Sequence, residues 1–206
     1  MGDTTAKFDI MQLFKDAWEL FKNNVSPLLG GYLTFVVILM VSGMVYIGPL
    51  ILSGPMSLGL FKMARMAANG QTVEFGDLFS GFQRFLDGFL ANLLISIFTM
   101  AGMILCILPG LFVGLMYMLT YLFMLDEKLA FWDAMEASRK MVWKNPWQWI
   151  LLWLALCLFN ILGMLACCVG MFLTGPVSLL IITLAYDADR RAAAVTAVPP
   201  VMEPTA

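Results

Sequence analysis

From Gly88 to Leu125 the chain runs 38 residues without a charged side chain, and Pro109-Gly110 falls near the middle of the run. An α-helix rises about 1.5 Å per residue, so roughly 20 residues cross a hydrocarbon core of about 30 Å. The run is two crossings long. Proline suits the first turn of a helix and glycine accepts turn dihedrals, so the chain can turn back there. The pattern predicts a helical hairpin, Gly88–Ile107 out and Pro109–Leu125 back. Two similar runs flank it: Asn23–Phe61, split by Gly48-Pro49, and Asn145–Tyr186, with its turn near Ala166–Gly170. The predicted fold is all-α and polytopic. Six transmembrane helices form three hairpins over 26–61, 88–125 and 146–186, within a membrane domain 26–187.

Between these runs the apolar positions recur at helical spacing. Ile10, Phe14, Trp18 and Phe21 make one stripe, separated by Lys15, Asp16, Glu19 and Lys22. This predicts an amphipathic cytoplasmic helix within residues 1–25, lying at the lipid–water boundary. Its acidic residues and the lack of an apolar core before the first run argue against a cleavable signal. Leu78, Phe79, Phe82, Phe85 and Leu86 make a second amphipathic stretch. Leu129–Lys144 makes a third, with Asp133, Glu136, Arg139, Lys140 and Lys144 on its polar side. Ala67-Ala68-Asn69-Gly70 reads as a helix end. The segment 188–206 lacks periodicity and is predicted to be a disordered cytoplasmic tail.

The three hairpins read as parallel repeats, each preceded by an interfacial helix. Gly54, Gly114 and Gly175 stand 60 and 61 residues apart, and so do Pro49, Pro109 and Gly170. Ser53-Gly54-Pro55-Met56-Ser57-Leu58 matches Thr174-Gly175-Pro176-Val177-Ser178-Leu179 nearly residue for residue. All 12 Lys and Arg and all 14 Asp and Glu fall in the N-terminal arm, the two long connections and the tail. With six crossings these lie on one side, and the positive-inside rule makes that side cytoplasmic, with both termini there.

Composition narrows the chemistry. The chain has 206 residues, 61% of them hydrophobic and 13% charged, and a mean hydropathy of +0.87. Net charge is −2, without a basic cluster, which points away from nucleic acid. Histidine is absent, so Ser–His and Cys–His nucleophile systems are excluded. Cys106, Cys157, Cys167 and Cys168 follow no zinc or redox spacing, and the 17 methionines are scattered rather than clustered, so neither metal nor cofactor is expected. The predicted spans contain no ionisable residue, unlike those of a proton-coupled transporter or membrane-embedded protease. Candidate solute- or lipid-contacting positions are the helix breaks expected at Gly54, Pro55, Gly114, Gly175 and Pro176, since paired interruptions at matching repeat positions point to transport sites. The competing reading is close helix packing, as Gly110-x-x-x-Gly114 would also permit. Interhelical hydrogen bonding accounts for Asn92, Ser96, Thr99, Asn160, Thr174 and Ser178.

Gly59-Leu60-Phe61-Lys62-Met63-Ala64-Arg65 followed by Asp77-Leu78-Phe79-Ser80-Gly81-Phe82 resembles a pattern in uncharacterised bacterial multi-pass proteins. So does Ala134-x-x-x-Ser138 leading to Trp143-Lys144-Asn145-Pro146-Trp147. Relatives of that group include membrane domains fused to glycerophosphodiester phosphodiesterases. The resemblance implies a six-helix fold of the bacterial inner membrane. It carries no phosphodiesterase activity over to this chain, which has neither that soluble domain nor a histidine. The functional expectation is a non-enzymatic module that organises membrane lipids or partner proteins, with a homo-oligomer as one form. The alternative is a permease or exporter of a small or amphiphilic solute, working through the Gly-Pro breaks.

Overall fold

The computed structural model describes residues 8–44, 48–105, 107–165 and 169–197. Among these residues every regular element is helical. In order they are α1 (Ile10–Asn23), α2 (Val25–Ser42), α3 (Gly48–Ala68), a 3₁₀ helix (Phe75–Arg84), α4 (Phe85–Leu105), α5 (Ile107–Met116), α6 (Thr120–Asp126), α7 (Phe131–Lys144), α8 (Pro146–Leu165) and α9 (Val169–Ala197). Four segments are long and apolar enough to cross a membrane: Val25–Ser42, Phe75–Ile104, Pro146–Leu165 and Phe172–Ala194. Their surfaces demand an apolar solvent. Met40, Met44, Ile104 and Leu165 are each at least 76% exposed, and soluble monomers do not tolerate contiguous apolar surface of that kind.

The helices pair as antiparallel arms. Ser42 meets Gly48 at one end of α2 and α3, and Gly31 meets Met63 towards the other. Phe98 stacks on Tyr117 where α4 runs beside the chain after α5, and Met103 meets Gly110 nearer the turn. Gly163 faces Gly170 and Thr174 between α8 and α9, and Asn160 donates to Ser178 Oγ at 2.9 Å. The second arms, α3, α6 and α9, come together in the centre. Phe61 stacks on Tyr121 at 5.6 Å and Phe123 meets Tyr186 edge-on at 5.1 Å. Met56, Met63, Leu122, Met124, Leu180 and Ile181 are fully buried there. The first arms stay outside. Only 11% of the α2 span is buried, against 50% of the α9 span.

Local chemistry sets the ends. Asp9 caps α1 by accepting from the Met11 N–H at 2.9 Å. The buried seam of α1 is Leu13, Ala17 and Phe21, so Trp18 faces outward beneath Lys22. α3 ends at Ala68 and Gly70 takes a positive φ of 67°, as the Asn-Gly pair predicts. The second interfacial stretch forms a 3₁₀ helix whose start is held by a reciprocal Glu74–Asp77 capping box. Pro109 and Gly110 lie inside the first turn of α5 rather than in the link before it. Cys106 and the turn residues 166–168 lie outside the described residues.

Two expectations are corrected. α9 does not stop at the predicted tail but continues as helix to Ala197. Residues 188–197 are rich in alanine, the best helix former, and extend a helix already nucleated by packing. Nor do the prolines break their helices: α3 runs through Pro55 and α9 through Pro176. The interruption falls instead at Tyr117–Leu119, in the hairpin that lacks the proline.

Candidate functional site

The predicted contact residues differ in what surrounds them. A methyl group on Gly54 would overlap the Gly88 carbonyl, one on Gly59 the Leu78 carbonyl, and one on Gly81 the Pro55 carbonyl. Glycine lets α3, the 3₁₀ helix and α4 approach backbone to backbone. Gly175 has the Tyr32 ring from α2 against it, and Pro55 and Pro176 are buried. Gly114 has no atom within 4 Å of where its Cβ would stand, so it serves no close approach. Gly54, Gly114 and Gly175 share no nearest neighbour within 4 Å of their Cβ positions. Of the polar span residues, Asn92 donates to Ser53 Oγ at 2.8 Å and Asn160 to Ser178, the interhelical bonds expected.

What the structure does assemble is a charge cluster where α3 and α6 end beside α9. Arg65 of α3 forks onto Asp126 of α6, with Nη2–Oδ2 at 2.7 Å and Nε–Oδ1 at 3.0 Å, and its Nη1 donates to Asp187 of α9. Arg190 adds Asp126 at 3.5 Å, Glu127 at 3.1 Å and the Tyr186 hydroxyl at 2.8 Å. Both guanidinium groups lie over the Tyr186 ring. The Arg65, Asp126 and Asp187 side chains keep at most 20% of their surface exposed. Burial works against the Arg65 charge, but Asp187 and Asp126 outweigh it and hold its pKa above the ordinary value. The cluster sets two arginines against three carboxylates and clamps the ends of α3 and α6 to α9, ten residues before that helix ends. Its sequence signal is plain in hindsight: Arg65, Asp126 and Asp187 stand 61 residues apart.

Two further polar contacts repair backbone exposed by the interrupted helix. Ser138, fully buried on α7, donates to the Met116 carbonyl at 2.6 Å and accepts from the Leu119 N–H at 3.2 Å. These are groups that the break between α5 and α6 leaves without an intrahelical partner, a costly state in apolar surroundings. Arg84 donates to the carbonyls of Met124 and Leu129, at 2.5 and 2.8 Å, closing the end of α6. Because the break turns the chain, α7 lies along α5, and a groove of about 770 Å³ remains between them. It is lined by Phe112, Met116, Arg139, Lys140, Trp143 and Lys144. Neither the groove nor the clamp is visible in local sequence, since each joins residues from separate helices.

Among the described residues no three His, Cys, Asp or Glu side chains are placed to hold a metal. No family model matches the chain, and no solved structure matches it. It is 34% identical over 97 residues to an uncharacterised protein of Mycobacterium bovis, a match covering 47% of this chain and 30% of that protein. Uncharacterised proteins of Mycobacterium tuberculosis match with the same identity and coverage. The match spans less than a third of the length of these relatives.

Proposed function

We propose that this chain is a non-enzymatic module of the bacterial inner membrane that organises lipid or partner proteins. In this reading six crossings form three repeated hairpins, both termini face the cytoplasm, α1 and the 3₁₀ helix lie at the membrane surface, and α7 packs along α5. The observation that carries it is the sealed centre. The inner helices meet through Met, Leu and aromatic side chains, and a mutually paired ion cluster closes one end. A permease working through Gly54 and Gly175 needs open space at those glycines, and neighbouring groups occupy it.

The six-span arrangement draws support from the antiparallel arms and from the meeting of Arg65, Asp126 and Asp187 at one level. Three parallel copies related by rotation would put equivalent positions together in this way. The offset from Gly54 to Gly114 is 60 residues, whereas that from Arg65 to Asp126 is 61. Gly175 and Asp187 in the unbroken α9 show the same spacing as Gly114 and Asp126, one residue more than Gly54 and Arg65.

Cysteine labelling in intact cells tests the arrangement, starting from a variant without native cysteines. Met44→Cys, Ile104→Cys and Leu165→Cys should react with an impermeant maleimide from the periplasm. Gln71→Cys and Glu136→Cys should react only after the inner membrane is opened. A hairpin tip protected until opening, or a connection labelled from outside, would overturn the topology.

A further inference from the structure

We infer that the groove between α5 and α7 is a binding site for an anionic phospholipid, a proposal that rests on the membrane reading above and names its lipid partner. The groove has two chemistries. Its floor is apolar, formed by Phe112 and Met116 of α5, with the Trp143 ring standing edge-on to Phe112 at 6.1 Å. Its rim is basic, formed by Arg139, Lys140 and Lys144 of α7. Lys140 is held by Glu136 at 2.9 Å. Among the described residues Arg139 and Lys144 have no carboxylate within ion-pairing distance. Glu136 bears on Arg139 and Asp189 on Lys144 through space, so the rim keeps two cations that no ion pair holds.

A soluble anion would have no use for the apolar floor, and a neutral apolar ligand none for the rim. A phosphodiester headgroup with its upper acyl chain uses both. Arginine presents a planar fork to phosphate oxygens and lysine a compact charge. The exposed tryptophans Trp132 and Trp143 flank the basic residues on α7, as expected of side chains at the headgroup level. A volume of about 770 Å³ suits a ligand of that size rather than a bare ion.

Native mass spectrometry of the full chain, released from micelles containing equal amounts of phosphatidylglycerol and phosphatidylcholine, provides the test. Two cations outside any ion pair should give retained phosphatidylglycerol roughly a tenfold preference. Substituting Arg139→Gln, Lys140→Gln and Lys144→Gln together should bring the ratio close to one. Met116→Trp, which fills the floor and keeps the charges, should lower retention of both lipids. Lys15→Gln with Lys22→Gln on α1 should leave the ratio unchanged. Absence of preference in the wild type overturns the site. So does preference that survives the triple substitution, full retention after Met116→Trp, or equal loss in the α1 variant. If the triple variant fails to fold by thermal melting, Met116→Trp and the α1 variant decide alone. Alkaline carbonate extraction of the wild type separates the two levels. Release into the wash defeats the membrane reading, whereas retention without lipid preference defeats only the groove.

Discussion

Glycines that look alike in sequence do different work. Gly59 lies so close to the Leu78 carbonyl that a methyl group has no space, and the obstacle is backbone rather than a flexible side chain. Gly59→Ala should destabilise the protein by about 2 kcal/mol or more, read as a lowered melting temperature in detergent. Gly114→Ala meets open space. It should be neutral or stabilising by up to about 1 kcal/mol, because alanine restricts the unfolded chain and favours helix. Equal losses at both positions would contradict the packing role assigned to Gly59. Arg65 is the other residue whose neighbours decide its meaning. Arg65→Gln leaves Asp126 and Asp187 facing each other partly desolvated. Loss of one partner from a fully buried pair costs several kcal/mol, and the remaining exposure reduces this to about 2 kcal/mol. Arg65→Lys should recover only part of that loss, since one ammonium cannot fork onto Asp126 while reaching Asp187.

At the scale of elements, the interrupted helix between α5 and α6 is the instructive case. A broken helix in an apolar setting exposes carbonyl and N–H groups that water cannot reach. Ser138 of α7 meets one of each, so α7 is fastened where the chain bends. Ser138→Ala should cost roughly 1–3 kcal/mol, the penalty for orphaning buried polar groups. The loss should appear in unfolding by denaturing detergent, with total helix content before the transition unchanged. Arg84 does comparable work at the far end of α6. Arg84→Ala should reduce stability by about 1–2 kcal/mol in the same assay. In both cases a side chain from a surface element completes hydrogen bonding for a core helix.

Across the whole molecule, the outer arms present large apolar side chains and the inner arms pack among themselves, so lipid and protein divide the apolar surface between them. The sealed centre leaves the polar chemistry at the margins, at the ion clamp and at the basic rim of α7. Connections between hairpins carry charge alongside the N-terminal arm and the tail, and they also hold the bends and ends of the core helices. A module built in this way meets its surroundings through its outer arms and surface helices. This is why lipid recognition is assigned to the α5–α7 groove rather than to the bundle axis.

Sequence by itself determined the helical class and the presence of apolar segments long enough to cross a membrane. Uncharged runs of about forty residues have few stable alternatives to paired helices, because apolar surroundings force backbone groups to bond within the segment. It also marked the end of α3 at Ala68, where the Asn-Gly pair supplies left-handed geometry. Only tertiary structure decided that the Gly-Pro pairs are contacts rather than breaks, since whether a proline interrupts a helix depends on what its neighbours supply. The break at Tyr117–Leu119 likewise depends on Ser138, nineteen or more positions away in the chain, and carries no proline to announce it. The clamp joins three helices through Arg65, Asp126 and Asp187, and the groove exists because the bend places α7 beside α5. Periodicity reports which face of a helix is apolar; it does not report which helix lies opposite, and both sites are made by that choice.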